Sequence, residues 1–197
     1  ITRNSIGEIE SFVDGFANSG GLKTSGVDVT AGYTAPLGAL LGAEEARLSF
    51  SFNGSLLTNN KFTPVVGQPV VIDCEGHFGA QCGAPTPKWR HTFRTTLGLG
   101  AVQFSTQWRY VGKATDDDPA TLYGSERFKA QNYIDLTAGV DIGDHYSLNM
   151  GVSNLFDKKP PLAASTQNGG NGEQTNTFPT VYEMLGRSFF VSRKVRF

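Results

Sequence analysis

No stretch of this chain comes near the roughly 18 consecutive apolar residues that a membrane helix needs. The nearest, Leu37 to Ala43, is short and broken by Gly38 and Gly42. A dominant charge is missing too. Seventeen basic residues face 18 acidic ones for a net charge of −1, so there is no bulk field for nucleic acid to answer, and none is expected as a partner. The N-terminus, Ile1-Thr2-Arg3-Asn4-Ser5, has no basic segment followed by an apolar run. No signal peptide is read there, and the chain is expected to be mature or to begin inside a longer protein. Histidine is scarce: His77, His91 and His145 fall on a loop, a strand start and a turn, with no nucleophile at a recognisable elbow. An enzyme is not expected, nor a cofactor. Cysteine is limited to Cys74 and Cys82, in a Gly-rich loop with only His77 and Asp73 as further metal ligands nearby. A loop disulfide in an oxidising compartment is expected, with a metal site or two free thiols as the alternatives.

What the chain has is alternation. Hydrophobic residues make up 39% of it, yet they recur at every second position in segment after segment. Val27, Val29, Ala31, Tyr33 and Ala35 oppose Gly26, Asp28, Thr30, Gly32 and Thr34. Ala46, Leu48, Phe50, Phe52, Gly54 and Leu56 oppose Arg47, Ser49, Ser51, Asn53 and Ser55. Two strands follow across a tight turn at Leu99-Gly100: His91, Phe93, Thr95, Leu97 and Leu99, then Val102, Phe104, Thr106, Trp108 and Tyr110. Their opposite faces carry Arg90, Thr92, Arg94 and Thr96, then Gln103, Ser105, Gln107 and Arg109. A third pair, Ile134 to Ile142 and Tyr146 to Val152, turns at Gly143-Asp144. The last strand sets Phe189, Val191, Val195 and Phe197 against Ser188, Ser192, Lys194 and Arg196. Arg193 interrupts its apolar face.

Between these strands, short turns alternate with long segments, Asn59 to Trp89, Gly112 to Ala130 and Leu155 to Leu185, all read as irregular. Sorting of connections by length onto two rims is the asymmetry of an outer-membrane barrel, with short periplasmic turns and long extracellular loops. The eleven residues from Arg187 span about 36 Å, or about 25 Å of height at ~45° tilt, which matches the apolar band of such a barrel. Tyr33 and Tyr146 then fall near the periplasmic interface, and Trp108 and Tyr110 near the extracellular one. A soluble β-sandwich shares the alternation, but it explains neither the sorting of the loops nor a second face rich in Ser, Thr, Asn and Gly. The expected fold is all-β, an antiparallel transmembrane β-barrel segment of seven strands, or eight if Glu8 to Asn18 forms one.

A strand ending on Phe197 resembles the terminal signature that outer-membrane assembly machinery reads, so Phe197 is the expected barrel-assembly signal. Asn154-Leu155-Phe156-Asp157-Lys158, then Gly186-Arg187 and the terminal Phe197, resemble the end motifs of TonB-dependent outer-membrane receptors. Asn18 with Gly26-Val27-Asp28 looks like that family's upstream strand pattern. The resemblance implies a 22-stranded barrel with an N-terminal plug, a TonB box and a periplasmic energy-transducing partner. Residues 1–197 would be the C-terminal portion of such a barrel, with neither plug nor TonB box in view. Seven strands alone leave two open edges that cannot face lipid.

The resemblance implies an importer of a scarce nutrient (ferric siderophore, vitamin or oligosaccharide) in the bacterial outer membrane. The alternative is a small barrel or barrel fragment acting as a structural element. Its partners would be the rest of the barrel and plug, the TonB complex, outer-membrane lipid and lipopolysaccharide, and an unnamed small-molecule substrate. By alternation Arg90, Arg94, Gln107 and Arg109 face the lumen, where forked guanidinium bonds would hold carboxylate or phosphate groups of a substrate, or else pair with plug carboxylates or with one another. Lys61, Lys158 and Lys159 would lie near the outer surface, within reach of lipopolysaccharide phosphates. Asp116-Asp117-Asp118 offers carboxylates for Ca²⁺, but a solvated acidic loop is expected instead, and no metal site is assigned.

Overall fold

The computed structural model describes residues 1–12, 20–65, 67, 69–164, 167 and 176–196. Thirteen strands occur among them. They are β1 (Thr2–Arg3), β2 (Ile9–Ser11), β3 (Gly21–Pro36), β4 (Arg47–Thr63), β5 (Ile72–Asp73), β6 (His77–Phe78) and β7 (Trp89–Leu99). There follow β8 (Val102–Val111), β9 (Ala114–Asp116), β10 (Arg127–Phe128), β11 (Gln131–Ile142), β12 (Tyr146–Ser153) and β13 (Ser188–Val195). Seven long strands form one antiparallel sheet in the order β13-β12-β11-β8-β7-β4-β3, with β5 added beside the upper end of β4. Apart from β5 the order is a plain meander, in which every long strand pairs with its sequence neighbours. The sheet is open, bounded by β3 and β13.

Register confirms the two faces. Phe52 lies opposite Phe93, Phe93 opposite Trp108, Trp108 opposite Ile134, and Leu136 opposite Val152. A one-residue slip would turn all of these into the polar face, so the alternation pins the pairing. On the other face hydroxyls and amides form ladders: Thr30 donates to Asn53 (3.2 Å), and Thr34–Ser49 (3.0 Å) and Thr96–Ser105 (2.7 Å) bond across the strands. Phe190 stands on the polar face opposite Gly151. A Cβ at Gly151 would sit 2.5 Å from the Phe190 ring and 2.7 Å from the Leu136 carbonyl, so only glycine lets the ring lie against the backbone here.

The wall is taller than its apolar band. At ~3.4 Å per residue and ~45° tilt, the 17 residues of β4 rise about 40 Å, against about 25 Å of hydrocarbon. Its outward apolar residues end at Leu56, and β3–β4 pairing shifts register just beyond, between Ser25 and Gly26. The strand was expected to end near Thr58 and runs to Thr63, because an extra β4 residue is absorbed as a bulge and the polar continuation keeps its ladder with β3.

A further expectation is corrected. Residues 1–12 form a separate hairpin, β1 with β2, so Ile9–Ser11 is not a wall strand. Its turn is held by Asn4, whose side-chain oxygen accepts from the amides of Ile6 (3.1 Å) and Glu8 (3.0 Å). Residues 13–18, the rest of the Glu8 to Asn18 segment, and Phe197 lie outside the described residues.

Among the described residues, the first two long connections are not wholly irregular: they carry β5 and β6, then β9 and β10. With the third they knit into a cap at the loop rim, where β6 runs parallel to β9 and β9 antiparallel to β10. Phe78, Ala114, Phe128, Ala163, Phe178 and Tyr182 form the buried apolar cluster of the described residues, and it belongs to the cap rather than to the wall. Phe78 and Phe128 stack at 4.0 Å between ring centres, with Phe178 edge-on to Phe78 at 5.8 Å. Burial on the Tyr182 ring raises its phenol well above the usual range. Cys74 and Cys82 are joined in a disulfide with Cα atoms 5.3 Å apart, which removes the metal and free-thiol alternatives.

The acidic run braces the same cap, so the reading of a solvated loop is overturned. Asp116 is buried and accepts from the Gln167 amide, and its second oxygen accepts from the Asp118 amide at 2.8 Å. Asp117 accepts from the amides of Gln81 (2.9 Å) and Cys82 (2.6 Å) beside the disulfide, and Asp118 from that of Ala120 (3.0 Å). The three carboxylates diverge to separate backbone donors. No cluster of three or more potential metal ligands forms among the described residues. Sequence alone missed this because each partner lies two residues away or in another loop.

Candidate functional site: a recess on the polar face beneath the cap

The polar face carries its charge near the loop rim. Register places Arg94 opposite Gln107, Gln107 opposite Asp135, and Arg109 opposite Tyr133. All four residues singled out from the sequence therefore share the polar face, as alternation requires. They do not share a role. Arg94 donates from Nε (3.1 Å) and Nη2 to the Gln107 side-chain oxygen. Arg109 forks onto Asp135, with Nε to Oδ2 at 2.7 Å and Nη2 to Oδ1 at 3.0 Å, and its Nη2 also lies 3.5 Å from Glu183. Its guanidinium stacks 5.1 Å over the Tyr133 ring. Wall and loop carboxylates thus consume the Arg109 fork. Arg90 alone of the four has no hydrogen-bond or ion-pair partner among the described residues, and it is exposed.

Arg90 and Arg109 line a recess of about 450 Å³, with Asp28, Ser55, Tyr133 and, from the cap, Val181 and Glu183. Ser55 donates to Asp28, which orients that carboxylate along β4. Asp135 is the hub that sequence reasoning missed. Besides Arg109 it accepts from the Gln107 amide (3.5 Å) and from the Asn154 backbone amide (2.8 Å). Only the register of β8 against β11 could have revealed it, and Glu183 arrives from a distant loop.

The Asn154 to Lys158 motif is a mechanical corner. Asn154 is fully buried at φ 53°, a left-handed conformation that asparagine tolerates better than most residues. Its side-chain oxygen accepts from the Lys158 amide and its side-chain nitrogen donates to the Lys158 carbonyl, both at 2.9 Å. Asp157 reaches across to accept from the Arg187 amide (2.9 Å) and pairs with Lys159 (2.9 Å). Gly186 sits at φ +70°, and a Cβ there would lie 2.5 Å from the same carboxylate. The corner ties the end of β12 to the start of β13. Lys158 gives its backbone to the corner and Lys159 its ammonium, while Lys61 lies at the bulged top of β4.

The Arg187 amide, then Lys159, holds the Asp157 carboxyl below its ordinary value. A depressed carboxyl stabilises the corner above its unfolded value, and the contribution disappears as pH falls through the lower folded one. The Arg187 amide is therefore expected to stay protected from hydrogen exchange down to about pH 4 and to lose protection below it. Asp157→Asn should flatten that dependence. The same protection in the two proteins above pH 4, with the same loss below it, would remove the corner's reliance on this charge.

The outward face at the same rim carries an aromatic group. His91 lies edge-on to Trp108 (4.5 Å) and stacks on Tyr110 (5.1 Å), and Trp89 Nε1 donates to His91 Nδ1 at 2.9 Å. Trp108 donates to Asn132 at 2.8 Å. Indole rings with satisfied N–H groups, and a phenol beside them at one level of an apolar face, match the aromatic girdle of a barrel at a membrane interface.

An antiparallel wall, apolar outside and hydrogen-bonded polar inside, with short turns at one rim and a built cap at the other, defines part of a transmembrane β-barrel receptor. The chain belongs to the family described as TonB dependent receptor-like, beta-barrel, whose profile matches residues 2–155. The match ends at the start of the Asn154 to Lys158 corner, so β13 and its entry lie beyond it. Among solved structures, a mutant of the ferric enterobactin receptor PfeA of Pseudomonas aeruginosa superposes with a TM-score of 0.56 at 18% identity. That likeness, which shows the fold alone, covers 88% of this chain and 22% of the receptor. No curated protein matches the sequence. The family comprises receptors and transporters of the bacterial outer membrane rather than enzymes, and it implies a plug domain and an interaction with TonB.

Proposed function

We propose that this chain is the C-terminal wall and part of the extracellular cap of an energy-dependent importer whose substrate is an anionic ferric siderophore. The observation that carries the reading is Arg90, a guanidinium with no partner among the described residues, on the polar face of a recess roofed by the cap, in a chain of the receptor family. Arg94, Gln107 and Arg109 are spoken for within the wall, which leaves Arg90 as the residue to meet a ligand's carboxylate or catecholate oxygens. A neutral oligosaccharide would have less need of it. The ferric enterobactin receptor among the structural relatives bears on the same class of ligand. In this reading the wall stands in the outer membrane with its short turns in the periplasm, the plug fills the lumen, and the TonB complex supplies the energy. Residues 1–197 would then be the C-terminal portion of a barrel of about 22 strands.

The test uses the full-length receptor in cells fed radiolabelled ferric enterobactin as probe. Uptake is expected to require the proton-motive force and TonB, and Arg90→Gln should weaken binding about tenfold, the scale of one charge-assisted bond, without changing the amount of folded receptor. Binding unaffected by Arg90→Gln would remove Arg90 from the ligand site. No TonB-dependent uptake of any ferric siderophore would remove the substrate class.

A further inference from the structure

Arg193 faces outward. It lies opposite Leu148, in line with Val191 and Val195 on the apolar face of β13, where alternation calls for another apolar side chain. Its guanidinium stacks 5.2 Å over the Tyr146 ring, which leaves the edge of the fork, and all its N–H donors, without an acceptor among the described residues. The stacked pair borders an outward recess of about 340 Å³ whose other walls include Ile142 and Leu148. Cation, aromatic platform and apolar groove lie one outward position from Val195, at the short-turn rim.

We infer that this recess holds a glycerophospholipid of the inner leaflet, with its phosphate on Arg193 and an acyl chain along Ile142 and Leu148. A guanidinium on a lipid-facing strand is tolerated only near an interface, where an anion can complete its hydrogen bonds. A phosphodiester presents paired oxygens that match the fork. Tyr146 fixes the plane of the cation and, as a girdle residue, stands at headgroup depth. The apolar groove beside the charge distinguishes a lipid from a free phosphate, since an ion alone would gain nothing from Ile142 or Leu148. The inference rests on the membrane orientation of the barrel and is independent of what the receptor imports.

The test is photo-crosslinking of the full-length receptor in vesicles that contain a photoactivatable phosphatidylglycerol, with adducts mapped by peptide mass spectrometry. Adducts are expected on the peptides covering 142–148 and 188–195. Arg193→Gln should lower them about tenfold, and Arg193→Lys, which keeps the charge and loses the fork, by less. Tyr146→Leu, which leaves the charge in place, should lower them several-fold and serves as the independent variant if Arg193→Gln fails to insert. Heat-modifiable electrophoretic mobility reports folding in each case. Equal labelling by a photoactivatable diacylglycerol, undiminished labelling in Arg193→Gln, or competition by millimolar inorganic phosphate would each overturn the assignment. So would preferential labelling of this recess by lipopolysaccharide.

Discussion

Phe78→Ala is expected to unfold the cap while the wall stays folded. The Phe78 side chain is fully buried, stacked on Phe128 and edge-on to Phe178, and it comes from the two-residue strand that pairs with β9. Removing a buried ring costs about 3–5 kcal/mol through lost burial and the cavity left behind. The cap has one apolar cluster and a few short ladders to set against that loss, whereas the wall is held by continuous pairing along seven strands. Local opening should therefore precede global unfolding. Hydrogen exchange in the full-length receptor should accelerate in 72–83, 112–130 and 176–187 and stay slow in 131–153. Because Val181 and Glu183 reach from the cap into the recess, the same variant should loosen Glu183 from Arg109. Equal acceleration in wall and cap, or none in the cap, would show that the two are not separate cooperative units.

Asp135→Asn is the second large effect. It leaves the Arg109 cation, partly withdrawn from water, with Glu183 at 3.5 Å as its remaining carboxylate. Breaking a fully buried pair costs about 3–5 kcal/mol, and an exposed one about 0–1. This pair is half-buried and bidentate, and its carboxylate also accepts from Asn154, which places the expected loss at about 2–3 kcal/mol. Denaturant unfolding followed by tryptophan fluorescence measures it. Arg109→Gln together with Asp135→Asn should recover part of the loss, because no uncompensated charge then remains. A double variant as unstable as the sum of the singles would mean that the two side chains act independently.

These two sites separate what each level of description decides. Alternation along Val27 to Ala35, His91 to Leu99 and Ile134 to Ile142 was enough to assign strands, faces and the shared side of Arg90, Arg94, Gln107 and Arg109. The reason is that a side-chain period of two is a local property of extended backbone. The sorting of connections by length was enough to tell the two rims apart, and the cysteine spacing was enough to expect the disulfide. Phe197 and Asn18, which carried part of the family resemblance, lie outside the described residues.

Pairing across strands and between loops is not local, and sequence could not reach it. Which arginine is consumed and which is free depends on β8 meeting β11 in one register, with Asp135 brought beside Arg109. Whether Asp116 is solvated or buried depends on Gln167, 51 residues away, folding over it. Phe78, Phe128 and Phe178 read as isolated aromatics in three loops and meet only because the rim of the wall brings those loops together. Composition and period decided the wall of this protein, because lipid outside and polar groups inside act on every residue alike. The cap and the hub at Asp135, which leaves Arg90 without a partner among the described residues, were decided by tertiary structure, because each is built from contacts between residues far apart in the chain.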